Sequence, residues 1–122
     1  LGQLNRKQLR SLGLRVESLD ADGMARAVAY QSARPKLSFH DCLAVSLAVV
    51  NDWPLLTGDK RMRALANEEC VEVHGVLWVI DQFAEHHVVQ KPMLASALGG
   101  MLDDPQTRLP HVEINKRLAI LT

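Results

Sequence analysis

PLLTGDKRMRALA, residues 54–66, is the stretch on which the reading of this chain turns. Pro54-Leu55-Leu56-Thr57 is short and apolar, as a buried strand is. Gly58 interrupts the run. Asp59 then stands directly before a helix pattern over residues 60–68 that opens with Lys60, Arg61 and Arg63. A strand that passes through a glycine and an acid into a helix is one join of an alternating α/β chain. Asp59 itself admits two readings. It is a good helix N-cap, and it is also a carboxylate just beyond the carboxyl end of a strand, where open α/β folds place their ligands.

The flanking sequence extends the alternation. Residues 38–50 form a helix pattern that is apolar on most sides and is therefore expected to be buried nearly all round. Asn51-Asp52-Trp53 turns the chain into the strand. Beyond the basic helix, Val71-Glu72-Val73-His74 reads as a second strand, ended by Gly75. Residues 76–87 make an amphipathic helix with Leu77, Trp78, Ile80 and Phe83 as core candidates. Pro92 suits a first helical position, Pro105 separates that helix from the next segment, and Pro110 begins a terminal helix striped with Val112, Ile114, Leu118 and Leu121. Toward the start, residues 15–19 alternate like a further strand, and Asp20 caps a helix over residues 24–32. Pro35 disfavours helix at the residue before it. The expected fold class is α/β, a mostly parallel sheet with helices on both faces.

Composition sets wider bounds. A chain of 122 residues is one domain with a core of its own, and its 48% apolar and 23% charged residues are ordinary for a globular protein. No apolar run approaches the roughly 18 residues of a membrane span. Net charge is zero, which excludes a strongly basic nucleic-acid coat. The charge is unevenly spread, however: residues 1–36 carry seven Lys/Arg against three Asp/Glu, and residues 67–122 carry four against eight. Cys42 and Cys70 lack zinc-ligand spacing and read as reduced thiols of a cytoplasmic protein.

Topology links two carboxylates. The helix over residues 38–50 runs antiparallel to the strand it feeds, so Asp41 in its first turn lies at the same sheet edge as Asp59. Carboxylates held close raise each other's pKa unless a cation neutralises them. Mg²⁺ takes one or two carboxylates and keeps waters and substrate phosphates as its other ligands, and it promotes phosphodiester cleavage. Lys60, Arg61, Arg63, Arg34 and Lys36 are then placed to engage backbone phosphates, with Thr57 and His40 placed to line the site. Plainer readings stand beside these. Ser38-x-x-Asp41 fits a capping box, an acid there suits the helix dipole, and the basic residues make an ordinary solvated face. His40, His74, Asp20, Asp22 and Asp81 are all explained by helix ends, strand ends or polar faces.

The segment LSFHDCLAVSLAVVNDWPLLTGDKRMRALANEECVEVHGVLWVID, residues 37–81, resembles the second half of a PIN domain, the nuclease fold of many bacterial toxin–antitoxin toxins. The matching features are an acid in the first turn of an Ala-rich helix, the strand ending LLTGD, a basic helix, and VEVHG. Residues 14–32 are more loosely similar, and the C-terminal helices look like the tail of one PIN subfamily. The resemblance implies an endoribonuclease dependent on Mg²⁺ or Mn²⁺, with Asp41 and Asp59 as metal-binding and catalytic residues. The family's other acids belong to a first strand and an early helix that precede the part matched by residues 1–13. The resemblance therefore implies a PIN-like three-layer fold lacking its first strand in this chain. Residues 1–90 would be the PIN-like domain and residues 91–122 a helical extension packed on it. Implied partners are an RNA substrate, an antitoxin protein and a second copy of the chain, with no membrane. A non-catalytic PIN-like module that binds RNA or protein is the alternative.

Overall fold

Short polar side chains start the first four helices of this protein, as its computed structural model shows for residues 4–121. α1 (Arg6–Ser11) is opened by a reciprocal pair: Gln8 N–H donates to Asn5 Oδ1 at 2.8 Å, and Asn5 N–H donates to Gln8 Oε1 at 2.9 Å. Gly13, at φ 109°, ends it by letting Leu14 N–H reach back to the Leu9 carbonyl. α2 (Ala21–Ala33) is capped by Asp20, and α3 (Phe39–Asn51) by Ser38. α4 (Lys60–Glu68) is capped by Asp59. Next come α5 (Val76–Glu85), α6 (Lys91–Asp103), which has Pro92 in its first turn, and α7 (His111–Leu121).

The fold is mixed α/β and mostly helical, with one small sheet of β1 (Leu55–Leu56) and β2 (Val73–His74). Leu55 N–H donates to the Glu72 carbonyl at 2.8 Å, and Thr57 N–H donates to the His74 carbonyl at 3.0 Å. Both strands advance by the same step in the same direction, so the pair is parallel. The sheet is smaller than the sequence pattern predicts. Residues 15–19 form no strand, because a strand needs a hydrogen-bonding neighbour and none pairs with them among the described residues. Instead Arg15 pairs with Glu17 at 2.5 Å, and its guanidinium lies 5.7 Å over the Trp53 ring.

Two compact units divide the chain. The first runs to Leu55 and includes Asp59–Glu72. Here α2 and α3 pack together, and α3 packs on α4. Ala27, Leu37, Cys42, Val45, Met62, Leu65 and Ala66 are buried within it. Ser46 is fully buried too, and its hydroxyl donates to the Gly23 carbonyl at 2.7 Å, tying α3 to α2. α3 is not enclosed all round: Cys42, Val45, Ser46 and Ala48 form its buried face, while Val50 is 48% exposed and Leu43 and Leu47 border an open cleft. With no strand ladder at residues 15–19, that flank keeps its contact with solvent.

The second unit comprises Leu56–Gly58 and the chain from Val73. Its core is Ile80, Leu94, Leu98 and Ile114, with Leu77, Phe83 and Leu118 packed around them. This core joins α5 to α6 and α7. Arg117 of α7 grips Asp81 of α5 with Nε to Oδ1 at 2.7 Å and Nη2 to Oδ2 at 2.8 Å. No helix among the described residues is long and apolar enough to cross a membrane.

Candidate active site

Asp41 and Asp59 both belong to the first unit, at the starts of α3 and α4, the two helices that pack on each other. Asp41 N–H donates to Ser38 Oγ at 3.1 Å, so the serine cap fixes the turn that carries the acid. Asp41 is half-buried, on a helix anchored by fully buried Cys42 and Val45. Burial, and then the charge of Asp41, push the Cys42 thiol above its ordinary pKa.

Asp59 is an N-cap in fact. Its Oδ1 accepts from Arg61 N–H at 2.8 Å and from Met62 N–H at 3.0 Å. The capping reading of this acid is therefore correct. Capping leaves Asp59 at an exposed position, so the two readings of this acid are compatible.

The predicted phosphate contacts separate into groups. Arg34 and Lys36, in the turn before α3, face Lys60 and Arg61 of α4 across one open cleft of about 420 Å³. Pro35, Leu37 and Ala64 complete its lining. Arg34 is held by an ion pair with Glu68, one helix turn beyond Ala64. Lys36, Lys60 and Arg61 form no ion pair among the described residues. Arg63 lies on α4 but does not line the cleft. His40 is exposed on α3. Thr57 belongs to the second unit, where its N–H pairs with His74, and His74 stacks on Trp78 with ring centroids 4.0 Å apart.

Sequence reasoning missed the apolar part of the cleft and the role of Glu68. One signal was available. Lys60, Ala64 and Glu68 recur at i, i+4 and i+8, which puts them along one face of α4. Arg34 and Lys36 were expected at the site from their charge, whereas the contribution of Pro35 and Leu37 had no comparable signal.

A protein-family profile described as a PIN domain matches residues 4–122. The chain belongs to the PIN-domain family. No curated protein and no solved structure matches it. PIN domains are generally nucleases and typically use divalent metals. The donors of this PIN domain suit such an ion in kind, since Mg²⁺ takes one or two carboxylates from protein. Among the described residues no three His, Cys, Asp or Glu side chains gather into a group that could hold a metal. Asp41 and Asp59, at the starts of the packed helices α3 and α4, are the carboxylates to test as ligands.

Proposed function

We infer that this PIN domain is a metal-dependent endoribonuclease acting as the toxin of a toxin–antitoxin pair. Its cofactor is Mg²⁺ or Mn²⁺, and Asp41 and Asp59 are its ligands in this chain. The match to the PIN family over residues 4–122 carries this reading. A bound divalent cation supplies charge stabilisation for phosphodiester hydrolysis. The protein's own residues do the rest: the serine cap holds Asp41, the N-cap geometry holds Asp59, and Lys36, Lys60 and Arg61 attract the RNA backbone. An antitoxin protein and a second copy of the chain are the protein partners of this reading.

One observation favours a second reading. Two carboxylates, one of them already accepting two amide N–H groups, make a lean metal site. A PIN-like module that binds RNA or a protein without cleaving it fits that poverty of ligands. Cleavage of single-stranded RNA by the complete protein in Mn²⁺ separates the two. Loss of cleavage in Asp41→Asn and Asp59→Asn, with folding retained, supports the enzyme. A wild-type protein that binds RNA but never cuts it supports the module.

A further inference from the structure

Residues 15–19 of the first unit lie in neither helix nor turn. Among the described residues, none of their backbone N–H or C=O groups bonds to other backbone. A row of unpaired groups of this kind is a template for another strand. Leu14 and Val16 stand on the same stretch 51% and 47% exposed.

Beside the stretch lies an open cleft of about 360 Å³. Ser18 and Leu19 line it from the stretch, and Met24, Leu43 and Leu47 line it from α2 and α3. Apart from Ser18 and Glu17 its walls are apolar. The edge and the cleft suit one occupant, an extended segment whose backbone pairs with residues 15–19 while a side chain enters the cleft.

The letters of the stretch specify that segment. Successive side chains of an extended chain point to opposite faces. Arg15 and Glu17 share one face, where they pair with each other, and Leu14, Val16 and Ser18 share the other. Antiparallel pairing of this stretch with its own copy, about a twofold axis at Val16, sets each Arg15 opposite the copy's Glu17. One ion pair within each chain is thus exchanged for two between chains. Val16 meets its twin as a β-branched cross-strand pair. Leu14 comes opposite the copy's Ser18, at the mouth of the cleft. A parallel pairing in register sets like charges side by side and is disfavoured.

We propose that residues 14–18 of two copies of this chain form an intermolecular antiparallel strand pair, with Leu14 of each seated in the cleft of the other. Arg15 and Glu17 select the partner and the register. The second copy that the nuclease reading includes thereby gains a contact surface. Metal binding and RNA cleavage form no part of the contact, so a dimer that cuts no RNA leaves the proposal standing.

Sedimentation equilibrium of the complete protein, in EDTA and at low salt, reads the association directly. The wild type dimerises. Arg15→Glu and Glu17→Arg each turn both cross-strand ion pairs into like-charge contacts, and each weakens the dimer about tenfold or more. Mixing the two variants restores dimers, because the acidic stretch of one then faces the basic stretch of the other. Leu14→Asn weakens the dimer without changing charge, at an exposed position that leaves the fold intact. Amide exchange at residues 15–17 slows as the dimer forms.

A protein that stays monomeric at every concentration overturns the proposal. So does a mixture of the two charge variants that associates no more tightly than either alone. A dimer that neither charge reversal weakens places the interface elsewhere and overturns it too. Slow exchange at residues 15–17 in a monomer also overturns it, and gives the edge to another segment of the same polypeptide.

Discussion

A single oxygen of Asp59 accepts the N–H of Arg61 at 2.8 Å, so the acid that starts α4 is bound to the backbone of a residue that lines the cationic cleft. Oδ1 also accepts from Met62, whose side chain is buried. The cap therefore sets the height at which Lys60 and Arg61 emerge from the helix.

Asparagine caps a helix about as well as aspartate, and alanine does not. Asp59→Asn should leave the melting temperature nearly unchanged while abolishing Mn²⁺-dependent RNA cleavage. Asp59→Ala should cost on the order of 1 kcal/mol in addition. Thermal melts paired with a cleavage assay check both. Full activity in the asparagine variant would remove Asp59 from the site.

In the second unit, Glu113 accepts from Lys116 and from Arg117, and these hydrogen bonds, in that order, hold its carboxyl below the usual glutamate range. A folded-state pKa that is depressed contributes stability above the unfolded value, about 4.3, and loses it as pH falls through the folded value. The wild type should therefore lose more stability than Glu113→Gln on acidification below about pH 4.3. The difference should shrink in high salt, because the pair is largely exposed. Melts across pH at two ionic strengths test this.

Arg117 also holds Asp81 with two near-parallel bonds, and its side chain is mostly shielded from water. Arg117→Met keeps the stem and removes the fork. It should cost about 1–2 kcal/mol, with the partial exposure of Asp81 moderating the loss. Hydrogen exchange should then quicken in α7 and leave α2 and α3 as they were.

α4 and α5 end without glycine. Cys70 and His87 occupy the left-handed position after each helix, at φ 60° and 55°. Val71 N–H then reaches the Ala66 carbonyl, and Val88 N–H reaches that of Phe83. Side chains are strained there and glycine is not. Cys70→Gly and His87→Gly should each raise stability by up to about 1 kcal/mol, a shift of a few degrees in Tm. A fall in Tm for both would contradict this account of the helix ends.

The two thiols should behave differently. Cys42 is fully buried with a raised pKa, whereas Cys70 is exposed. Iodoacetamide at pH 8 should label Cys70 in the native protein and reach Cys42 only when denaturant opens the first unit. Peptide mapping by mass spectrometry distinguishes the sites.

Much of the helical architecture was legible because caps are local. Ser38, Asp59 and Asp20 each bond to an amide two or three residues away, so the letters that start α2, α3 and α4 also explain them. The reciprocal pair of Asn5 and Gln8 was equally local and shows that α1 could have been read as a helix. Residues 15–19 were different. Their alternation is that of a strand, yet extended chain becomes a strand only beside another, and sequence spacing does not supply the neighbour.

The sequence by itself determined which residues carry charge, and its caps Asp20, Ser38 and Asp59 mark where α2, α3 and α4 begin. It also carried a resemblance to the PIN family, which the family match over residues 4–122 bears out. Only the tertiary structure decided that Arg34 and Lys36 would meet Lys60 and Arg61 over an apolar floor, and that Arg63 would be left out. The physical reason is range. A cap is settled within one turn of helix, whereas the cleft depends on packing that brings residues 34–37 against α4, more than twenty positions away.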